Sequence, residues 1–378
     1  MKSIIKLKNL KGETALLRAG FDVPIKNGRV ADFRRIKAVL PTIEFLMKRG
    51  SVVIMAHQGR PGGKTDARFS QKPVALALEK LLKKKVKFSD DCVGPSAERA
   101  VKSLKKGEVL LLENLRFHPG EEKNSPAFAR ALSRLGDVYV DDSFPDAHRE
   151  HASIVGVPKY LPAYAGFRLL DEIKYLSALS KDTKHPFLFI LGGAKFETKL
   201  PVLKKFLKKA DSVAICGALA NQVFKEEGYE TGLSLVEDKK YGLSSLARNG
   251  RIILPVDVVA ESSKGKKIKS PYEISKNENM VDTGPQTADI LEKEIKKAKM
   301  ILWNGPLGKS SAGHPGSTKD IIKAIAKSGA VSVIGGGDTI DLIAGMKMEK
   351  KFTFISTGGG AMLDFLAKGT LPGLEALK

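Results

Sequence analysis

Six short apolar runs in the second half of the chain each end in a glycine-rich or polar loop. In chain order these loops are Gly192-Gly193-Ala194-Lys195, Cys216-Gly217-Ala218, Pro255-Val256-Asp257, Asn304-Gly305-Pro306, Gly335-Gly336-Gly337-Asp338 and Ser356-Thr357-Gly358-Gly359-Gly360. Glycine after a buried parallel strand lets the backbone approach a ligand closely, and the N-terminus of the helix that follows favours an anion. The second half therefore indicates a nucleotide-binding site.

Basic side chains follow the predicted strands of the first half instead. They are Arg18, Arg35, His57, Arg60, Arg116, His118, His148 and Arg149. One arginine at a strand end is usually a surface salt bridge, but five or more on one edge of a sheet are suited to paired guanidinium recognition of carboxylate or phosphate. The segment His148-Arg149-Glu150-His151 lacks the carboxylate spacing or cysteine of a metal site. This half indicates a small, strongly anionic ligand.

Two lysines and one aspartate near the glycine loops have the chemistry to hold a polyphosphate. Lys195 and Lys199 stand four residues apart at a predicted helix start, so we expect them to share a helix face and reach adjacent phosphates. Two solvated lysines beside a tight turn are the alternative. Asp338 is placed to hold Mg²⁺ through phosphate or water, although aspartate also caps helices routinely, and the two roles are compatible.

Familiar phosphate-binding motifs are absent from the sequence. The segment from Gly59 to Thr65 resembles a P-loop, but it is one residue short and Gln58 stands where the first glycine is required. Ile340 and Leu363 occupy the third glycine's place in the two candidates for a dinucleotide-binding fingerprint. Nucleotide binding must therefore rest on a different arrangement.

Apolar strands alternate with amphipathic helical stretches in both halves, which predicts parallel α/β sheets with ligands at the carboxyl ends of the strands. A helix-like apolar stripe from Phe167 to Leu179 predicts a connecting helix. The predicted fold class is α/β, with two Rossmann-like, three-layer domains built on parallel sheets and joined by a hinge helix. We place the domains at 1–166 and 181–368 and the interdomain helix at 167–180, with the tail 369–378 packing back on the first domain.

Composition narrows the class of protein. At 378 residues the chain exceeds one ordinary core, so two domains are expected. We attribute the formal net charge of +22 to lysines spread over helix faces, since no aromatic stacking platform or zinc-finger spacing accompanies them. Cys92 and Cys216, the only cysteines, are typical of buried free thiols in a reducing cytoplasm. We therefore expect a cytoplasmic monomer with small-molecule partners and neither a specific nucleic acid nor a membrane.

Many segments, taken in order, resemble the phosphoglycerate kinase family over essentially the whole chain. In the first half they are Arg35-Ile36-Lys37-Ala38, His57-Gln58-Gly59-Arg60-Pro61, Asp91-Cys92-Val93-Gly94-Pro95, Leu112-Glu113-Asn114-Leu115-Arg116-Phe117-His118 and Ala147-His148-Arg149. In the second half they are Leu191-Gly192-Gly193-Ala194-Lys195, Pro255-Val256-Asp257, Trp303-Asn304-Gly305-Pro306, Gly335-Gly336-Gly337-Asp338 and Ser356-Thr357-Gly358-Gly359-Gly360-Ala361.

The resemblance implies a bilobed glycolytic enzyme, a phosphotransferase with a carboxyl group as acceptor. It implies reversible phosphoryl transfer between 1,3-bisphosphoglycerate and ADP, which gives 3-phosphoglycerate and ATP. The N-terminal domain would hold the phosphoglycerate and the C-terminal domain would hold ADP or ATP with Mg²⁺. Hinge closure would bring the two ligands together.

The resemblance also implies roles for individual residues. Phosphoglycerate would be bound by Asp22, Arg35, His57, Arg60, Arg116 and Arg149. Arg35 and Lys195 would stabilise the transferring phosphoryl group, and Asp338 would ligate Mg²⁺. The nucleotide would be bound by Gly193, Ala194, Lys195, Lys199, Gly217, Asn304, Gly305, Pro306, Gly336, Gly337, Asp338 and Thr339.

The chain departs from the family pattern at several ligand-facing positions. The acid that contacts the substrate hydroxyl is replaced by Gly20, while Asp22 and Asp141 stand where the family has amides. Cys216-Gly217-Ala218 stands where the family has three glycines near the adenine, and Lys309-Ser310-Ser311 replaces a segment whose glutamate, at the position of Ser311, contacts the ribose. Residues two apart in a strand face the same side, so we expect Asp22 to reach toward the same pocket as position 20, but from a displaced position.

These departures leave two alternatives to an ordinary member of the family. One is a relative with an altered acceptor or nucleotide preference, suggested by Gly20, Asp22 and Ser311. The other is a non-catalytic polyanion-binding relative, suggested by the net charge. The retention of Arg35, Lys195, Lys199 and Asp338 speaks against a non-catalytic role, because a binding module has no use for phosphoryl-transfer residues.

Overall fold

The computed structural model describes residues 1–7, 10, 13–309 and 316–378. These residues form two compact units. The first comprises Met1–Lys174 with Lys368–Lys378, and the second comprises Tyr175–Ala367. No helix among the described residues combines the length and apolar character needed to cross a bilayer.

The strands and helices are numbered in chain order. The strands are β1 (Thr14–Ala19), β2 (Ile25–Lys26), β3 (Arg29–Val30), β4 (Ser51–Met55), β5 (Val86–Ser89), β6 (Val109–Leu112), β7 (Val138–Asp142), β8 (Ala163–Ala165), β9 (Phe187–Leu191), β10 (Ser212–Ile215), β11 (Ile252–Ile253), β12 (Val258–Ser262), β13 (Gly265–Lys269), β14 (Asn279–Thr283), β15 (Met300–Asn304), β16 (Val331–Gly335) and β17 (Phe354–Ile355). The α-helices are α1 (Arg34–Met47), α2 (Lys72–Leu82), α3 (Gly94–Lys102), α4 (Pro119–Glu122), α5 (Pro126–Ser133), α6 (Phe167–Lys181), α7 (Phe196–Phe206), α8 (Ala218–Glu226), α9 (Leu243–Ala247), α10 (Pro285–Lys297), α11 (Gly316–Ser328), α12 (Gly337–Gly345), α13 (Gly360–Lys368) and α14 (Pro372–Ala376).

The first unit is built on a parallel sheet with the strand order β5-β6-β4-β1-β7-β8. Leu17 in the centre of β1 pairs with Ile54 on one side and Val140 on the other. All five residues of β4 are buried, because helices must cover both faces of a parallel sheet and a continuous apolar run satisfies both. The chain moves outward from β1 in both directions, so the ligand crevice is expected at the carboxyl ends of β1, β4 and β7.

The second unit repeats the arrangement with the parallel order β11-β10-β9-β15-β16-β17. Here the strand order reverses between β9 and β15, which pair from Phe187 to Leu191 against Met300 to Asn304. The predicted α/β class with parallel sheets is therefore confirmed. A separate antiparallel sheet, ordered β13-β12-β14, belongs to the second unit and was not predicted.

Helix α1 shows how the core of the first unit forms. Its apolar residues Ile36, Val39, Ile43 and Leu46 recur at helical spacing and are buried in the same cluster as the strand residues. Burying one such side chain contributes about 1.5–3 kcal/mol. The packed helix therefore fixes the position of Arg35 in its first turn.

The C-terminal tail lies within the first unit. The backbone N–H of Gly373 donates to the carbonyl of Ala147 at 2.9 Å. A β-carbon at position 373 would lie 2.9 Å from Ile154 Cγ2 and 3.1 Å from Ala147 Cα, so only glycine allows this approach. Leu374 and Leu377 are buried. The tail thus supports the segment that carries His148 and Arg149.

Candidate active site

Three loops at the carboxyl edge of the first sheet are tied together by arginines. Arg35 Nη1 donates to the carbonyl of Asp22 at 2.6 Å, and Arg116 Nη1 donates to the carbonyl of Gly59 at 2.6 Å. Arg116 is buried, and burial together with the nearby charge of Arg149 lowers the pKa of its guanidinium despite the opposing effect of Asp146. The loops after β1, β4 and β6 are therefore held around a cationic centre.

Asp22 is fixed as an anion in this centre. Its Oδ1 accepts the backbone N–H of Gly59 at 3.0 Å, and its Oδ2 lies 3.6 Å from His57 Nε2. Burial alone would raise the pKa of Asp22, but His57 and the Gly59 N–H outweigh it and lower the pKa to about 2. The expectation that Asp22 and position 20 face one side of a strand is wrong. Strand β1 ends at Ala19, so both residues lie outside it.

Arg18, by contrast, is structural. Its side chain is fully buried, its Nε donates to Ser153 Oγ at 2.9 Å, and its Nη2 lies 3.2 Å from Asp146 Oδ2 and 3.0 Å from His57 Nδ1. Although burial would lower the pKa of Arg18, Asp146 and other acids raise it above its usual value. Because it is fully buried, Arg18 positions Ser153, Asp146 and His57 and is not available to a ligand.

The remaining basic residues of the first unit differ in availability. Arg60 is exposed, while Arg149 is half-buried with its Nε 3.8 Å from Asp146 Oδ1. His118 Nε2 lies 2.7 Å from Asp91 Oδ1, and its ring stacks on Phe128. The sequence grouped His118 with the ligand-facing residues, but its contacts are with this neighbouring pair.

The second unit brings its glycine loops into backbone contact with each other. A β-carbon at Gly217 would lie 2.9 Å from Gly193 N, and one at Gly336 would lie 2.9 Å from Gly305 N. A β-carbon at Gly192 would likewise collide with the loop of Gly305, and one at Gly305 would collide with the loop of Gly192. Gly193, Gly217, Gly305 and Gly336 all have positive φ angles. These glycines pack the carboxyl ends of β9, β10, β15 and β16 tightly beneath the helix N-termini.

Lys195 and Lys199 have different environments. Lys195 is exposed and precedes α7 with φ of 65°, in the left-handed region. Lys199 is buried and its ammonium donates to the carbonyl of Gly192. Burial, followed by the charge of Lys195, lowers the pKa of Lys199 to about 8, although Asp338 opposes the shift. The expectation of one shared helix face is wrong, because Lys195 lies outside the helix.

A cavity of about 560 Å³ opens beside these loops. Its volume falls within the range of small-molecule sites, roughly 300–1,000 Å³. Of the predicted nucleotide-binding residues, those that line it are Gly193, Ala194, Gly217, Pro306 and Asp338. Lys309 also lines it, whereas Ser310 and Ser311 lie outside the described residues.

Several predicted nucleotide-binding residues lie behind the cavity lining. Asn304 is buried, with its Nδ2 3.8 Å from Met362 Sδ. Thr339 is fully buried, and within the part of the chain that the structure describes its hydroxyl has no hydrogen-bond partner. Gly305, Gly336 and Lys199 support the loops around them. Gly337, the first residue of α12, is exposed.

Sequence reasoning missed one wall of this cavity. It is formed by Leu233, Ser234, Leu235, Val236, Asn279, Met280, Val281, Asp282 and Thr283. Burial raises the pKa of Asp282 to about 6. The only signal in the sequence is two short apolar segments without a glycine loop, and such segments do not distinguish a binding wall from core.

Comparison with known proteins decides the family. The family model for phosphoglycerate kinase matches residues 5–369. The chain belongs to the phosphoglycerate kinase family. It is 42% identical to a phosphoglycerate kinase from Moorella thermoacetica and 41% identical to one from Dictyoglomus turgidum, each alignment covering 100% of this chain and 99% of the relative.

Solved structures agree with this assignment. A phosphoglycerate kinase from Pyrococcus horikoshii superposes with a TM-score of 0.86 at 32% identity, covering 100% of this chain and 98% of that one. A phosphoglycerate kinase from Coxiella burnetii gives a TM-score of 0.83 at 33% identity, with 99% and 98% covered. The family and the phosphoglycerate kinase function expected from the sequence are confirmed, and the family takes ADP or ATP as its nucleotide.

The departures from the phosphoglycerate kinase pattern have distinct surroundings. Asp141 is fully buried at the end of β7, where its Oδ1 accepts the Ser143 N–H at 2.8 Å, and burial raises its pKa to about 7. Cys216 is a buried free thiol whose pKa is raised to about 12, also by burial. Cys92 is likewise free and buried. Burial raises the pKa of Cys92 well above its usual value too, so neither thiol is readily ionised.

Proposed function

We propose that the first unit binds 3-phosphoglycerate or 1,3-bisphosphoglycerate, and that the second binds ADP or ATP. The observation that supports this assignment is the cluster of Arg35, Arg116 and Arg149 with His57 at the carboxyl edge of the first sheet. The charge of Arg149 helps to lower the pKa of Arg116, so these two guanidinium groups repel each other, and a ligand carrying both a phosphate and a carboxylate would relieve that repulsion.

Within the first unit, Arg60, Arg116 and Arg149 would hold the anionic ends of the acceptor with His57. Arg116 is suited to this because it is buried, already anchored through Nη1 to Gly59, and paired through Nε with Glu122 at 3.2 Å. Its Nη2 has no hydrogen-bond partner among the described residues. Asp22 would accept the hydrogen bond of the glycerate hydroxyl, since an ionised carboxylate only accepts.

Within the second unit, the nucleotide would occupy the cavity beside Gly193 and Gly217. Lys199 would hold phosphates, because an anion stabilises its ammonium in a site where burial destabilises it. The N–H groups at the start of α12, at Gly337 and Asp338, would face the phosphates as well. These groups together match a polyphosphate better than a single phosphate.

Mg²⁺ is the metal that the donor chemistry fits. Asp338 is an exposed carboxylate in the first turn of α12 and lines the cavity, and magnesium commonly takes one or two carboxylates together with substrate phosphates. When bound, the ion would neutralise charge on the nucleotide phosphates. Asp338 would hold it.

Phosphoryl transfer itself needs little covalent chemistry from the protein. In the loose transition state charge spreads over the transferring oxygens, so fixed cations supply most of the catalysis. Arg35, anchored through the Asp22 carbonyl, and Lys195, exposed before α7, would stabilise this charge. We further propose that the protein acts as a monomer in the cytoplasm without a specific nucleic-acid partner, a setting that two buried free thiols suit.

Calorimetric titration of two variants tests the assignment of each ligand to its unit. We expect Arg116→Ala to weaken 3-phosphoglycerate binding at least tenfold and leave Mg-ADP binding within about twofold, with Asp338→Asn doing the reverse. When Mg²⁺ is removed, Asp338→Asn should weaken the binding of ADP much less than it weakens the binding of Mg-ADP. Loss of both ligands in either variant would contradict the assignment.

A relative with altered acceptor preference remains the second candidate, because Gly20 offers no side chain to the acceptor hydroxyl. Running the titration with other small phosphorylated acids distinguishes the two. The preferred acceptor should be 3-phosphoglycerate, and tighter binding of a different acid would favour the second candidate.

A further inference from the structure

We propose that Asp146 supplies, from the loop after β7, the carboxylate that the family pattern places at the position of Gly20. Asp146 is a positioning residue: it holds Arg18, His57 and Arg149 in the arrangement that receives the acceptor. This inference rests on the proposed function of the first unit and adds a residue to it.

The space beside Gly20 is already occupied by the loop that carries Asp146. A β-carbon at position 20 would lie 3.2 Å from Ser143 Oγ and 3.5 Å from both Cδ and Cγ of Pro145. The φ angle of Gly20 is outside the left-handed region, so its backbone does not require glycine. Space, not conformation, therefore favours glycine here.

Ser143 connects this position to Asp146. Its hydroxyl donates to Asp146 Oδ2 at 2.6 Å and lies 3.3 Å from Arg18 Nη1. A carboxylate introduced at position 20 would stand one hydroxyl group away from the carboxylate of Asp146. Two buried acids this close cannot both ionise without a large cost, so the site accommodates one of them.

Asp146 lies close to basic side chains contributed by three segments of the chain. Its carboxylate lies 3.2 Å from Arg18 Nη2, 3.6 Å from His57 Nδ1 and 3.8 Å from Arg149 Nε. Only 4% of the residue is exposed. Burial would raise the pKa of Asp146, but His57, Arg18 and other partners lower it far below its usual range. The single buried carboxylate of Asp146 thus links Arg18 in β1, His57 in the loop after β4 and Arg149 in its own segment.

The contact with Arg18 also determines where His57 carries its proton. Arg18 Nη2 is 3.0 Å from His57 Nδ1, and a guanidinium nitrogen only donates. In the neutral ring Nδ1 therefore accepts this bond, and the single ring proton lies on Nε2, the atom that faces Asp22. Because Asp146 pairs with the same Nη2, it keeps Arg18 in the position that selects this tautomer.

A carboxylate exchange between the two positions tests the proposal. We expect Gly20→Asp and Asp146→Asn each to raise the KM for 3-phosphoglycerate at least tenfold, with the KM for ATP changed less than about twofold. If the two substitutions acted independently, their fold-increases in the KM for 3-phosphoglycerate would multiply in the double variant Gly20→Asp/Asp146→Asn. We expect the measured KM of the double variant to be at least tenfold lower than that product. The control is Asp90→Asn, which changes an exposed acid in the same unit. Combined with Gly20→Asp, it should give a KM equal to the product of the two separate fold-changes.

Two further readouts do not depend on activity. First, the double variant should unfold at a higher denaturant concentration than Gly20→Asp. Second, the ¹⁵N chemical shifts of the His57 imidazole should report the Nε2–H tautomer in the wild type and in the double variant. In Asp146→Asn they should report a mixture of tautomers. A chain that shows this coupling without phosphoglycerate kinase activity would overturn the proposed function and support the role of Asp146. Independent effects on stability and an unchanged tautomer would overturn the role of Asp146 whatever the activity.

Should Asp146→Asn fail to fold, Gly20→Asn and Gly20→Asp still decide the question. The two side chains have nearly the same shape and differ in charge. We expect crowding to destabilise both variants and the added charge to make Gly20→Asp unfold at a lower denaturant concentration than Gly20→Asn. Equal stability of the two would contradict the proposal, because it would show that no carboxylate at position 146 opposes one at position 20.

Discussion

Lys195 and Lys199 flank the same glycine loop, but Lys195 is exposed to solvent and Lys199 is buried. Lys195 is exposed ahead of α7, while Lys199 is buried with its ammonium bound to the carbonyl of Gly192. The charge of Lys195 contributes to the lowered pKa of Lys199. The two lysines are therefore suited to different tasks, charge stabilisation during transfer for Lys195 and anchoring of phosphates for Lys199.

Removing the Lys195 ammonium should affect catalysis more than binding. We expect Lys195→Ala to lower kcat by roughly a hundredfold or more, with a smaller change in nucleotide affinity, because charge on the transferring group develops in the transition state. Steady-state kinetics beside direct ADP titration measure both. Lys204→Ala, an exposed lysine on the same helix, is the matched control and should leave kcat unchanged. A normal kcat with weak ATP binding would show that Lys195 is a ground-state anchor.

Nucleotide affinity should depend on the protonation of Lys199. Its pKa of about 8 means that the free protein loses this positive charge as the pH rises through that value. We expect the Kd for Mg-ADP to increase between pH 7 and pH 9.5 by roughly tenfold, and this dependence to be much smaller in Lys199→Arg, which stays charged. Titrations of both proteins across that range measure the effect. Equal pH dependence in the two would show that another group is responsible.

Asp141 should make stability depend on pH in an unusual direction. Its folded pKa of about 7 exceeds the ordinary value near 3.8, so between these pH values the folded state keeps a proton that the unfolded state releases. Stability therefore falls as the pH rises from about 4 to 7. Asp141→Asn removes this effect, and we expect it to raise the free energy of unfolding at pH 8 by on the order of 3 kcal/mol, with little change at pH 4.

Denaturant unfolding of the wild type and Asp141→Asn at both pH values measures this difference. Asp142 is also buried with a pKa raised to about 7, so the variant should retain part of the wild-type pH dependence. Asp90→Asn, which changes an exposed acid, should show neither effect. A variant that is equally destabilised at both pH values would mean that the Asp141 carboxylate is ionised and stabilising.

The sequence predicted those features that follow from local pattern. The buried run of β4 and the apolar run before the glycine loop that follows β9 indicated parallel strands, and the structure has parallel strands at both places. The cavity wall that includes β14 was not predictable, because β14 pairs with β12 across the intervening β13, a contact that no local period encodes.

The missed side-chain positions have a similar origin. Period-two and period-3.6 arguments hold only inside a strand or a helix. Lys195 and Asp22 lie just outside such elements, so arguments from spacing placed them wrongly. The role of Asp146 depends on the approach of Ser143 and Pro145, in the same loop, to Gly20 far earlier in the chain, and only the fold reveals this approach.

The most direct test of the central claim measures transfer to the carboxylate of 3-phosphoglycerate. The protein is incubated with ATP, Mg²⁺ and 3-phosphoglycerate, and hydroxylamine traps the acyl phosphate product as a hydroxamate. We predict that ADP and hydroxamate form together, only when both Mg²⁺ and 3-phosphoglycerate are present, and that Arg35→Ala lowers the rate at least a hundredfold. ADP formation without hydroxamate, or an equal rate without 3-phosphoglycerate, would contradict the account.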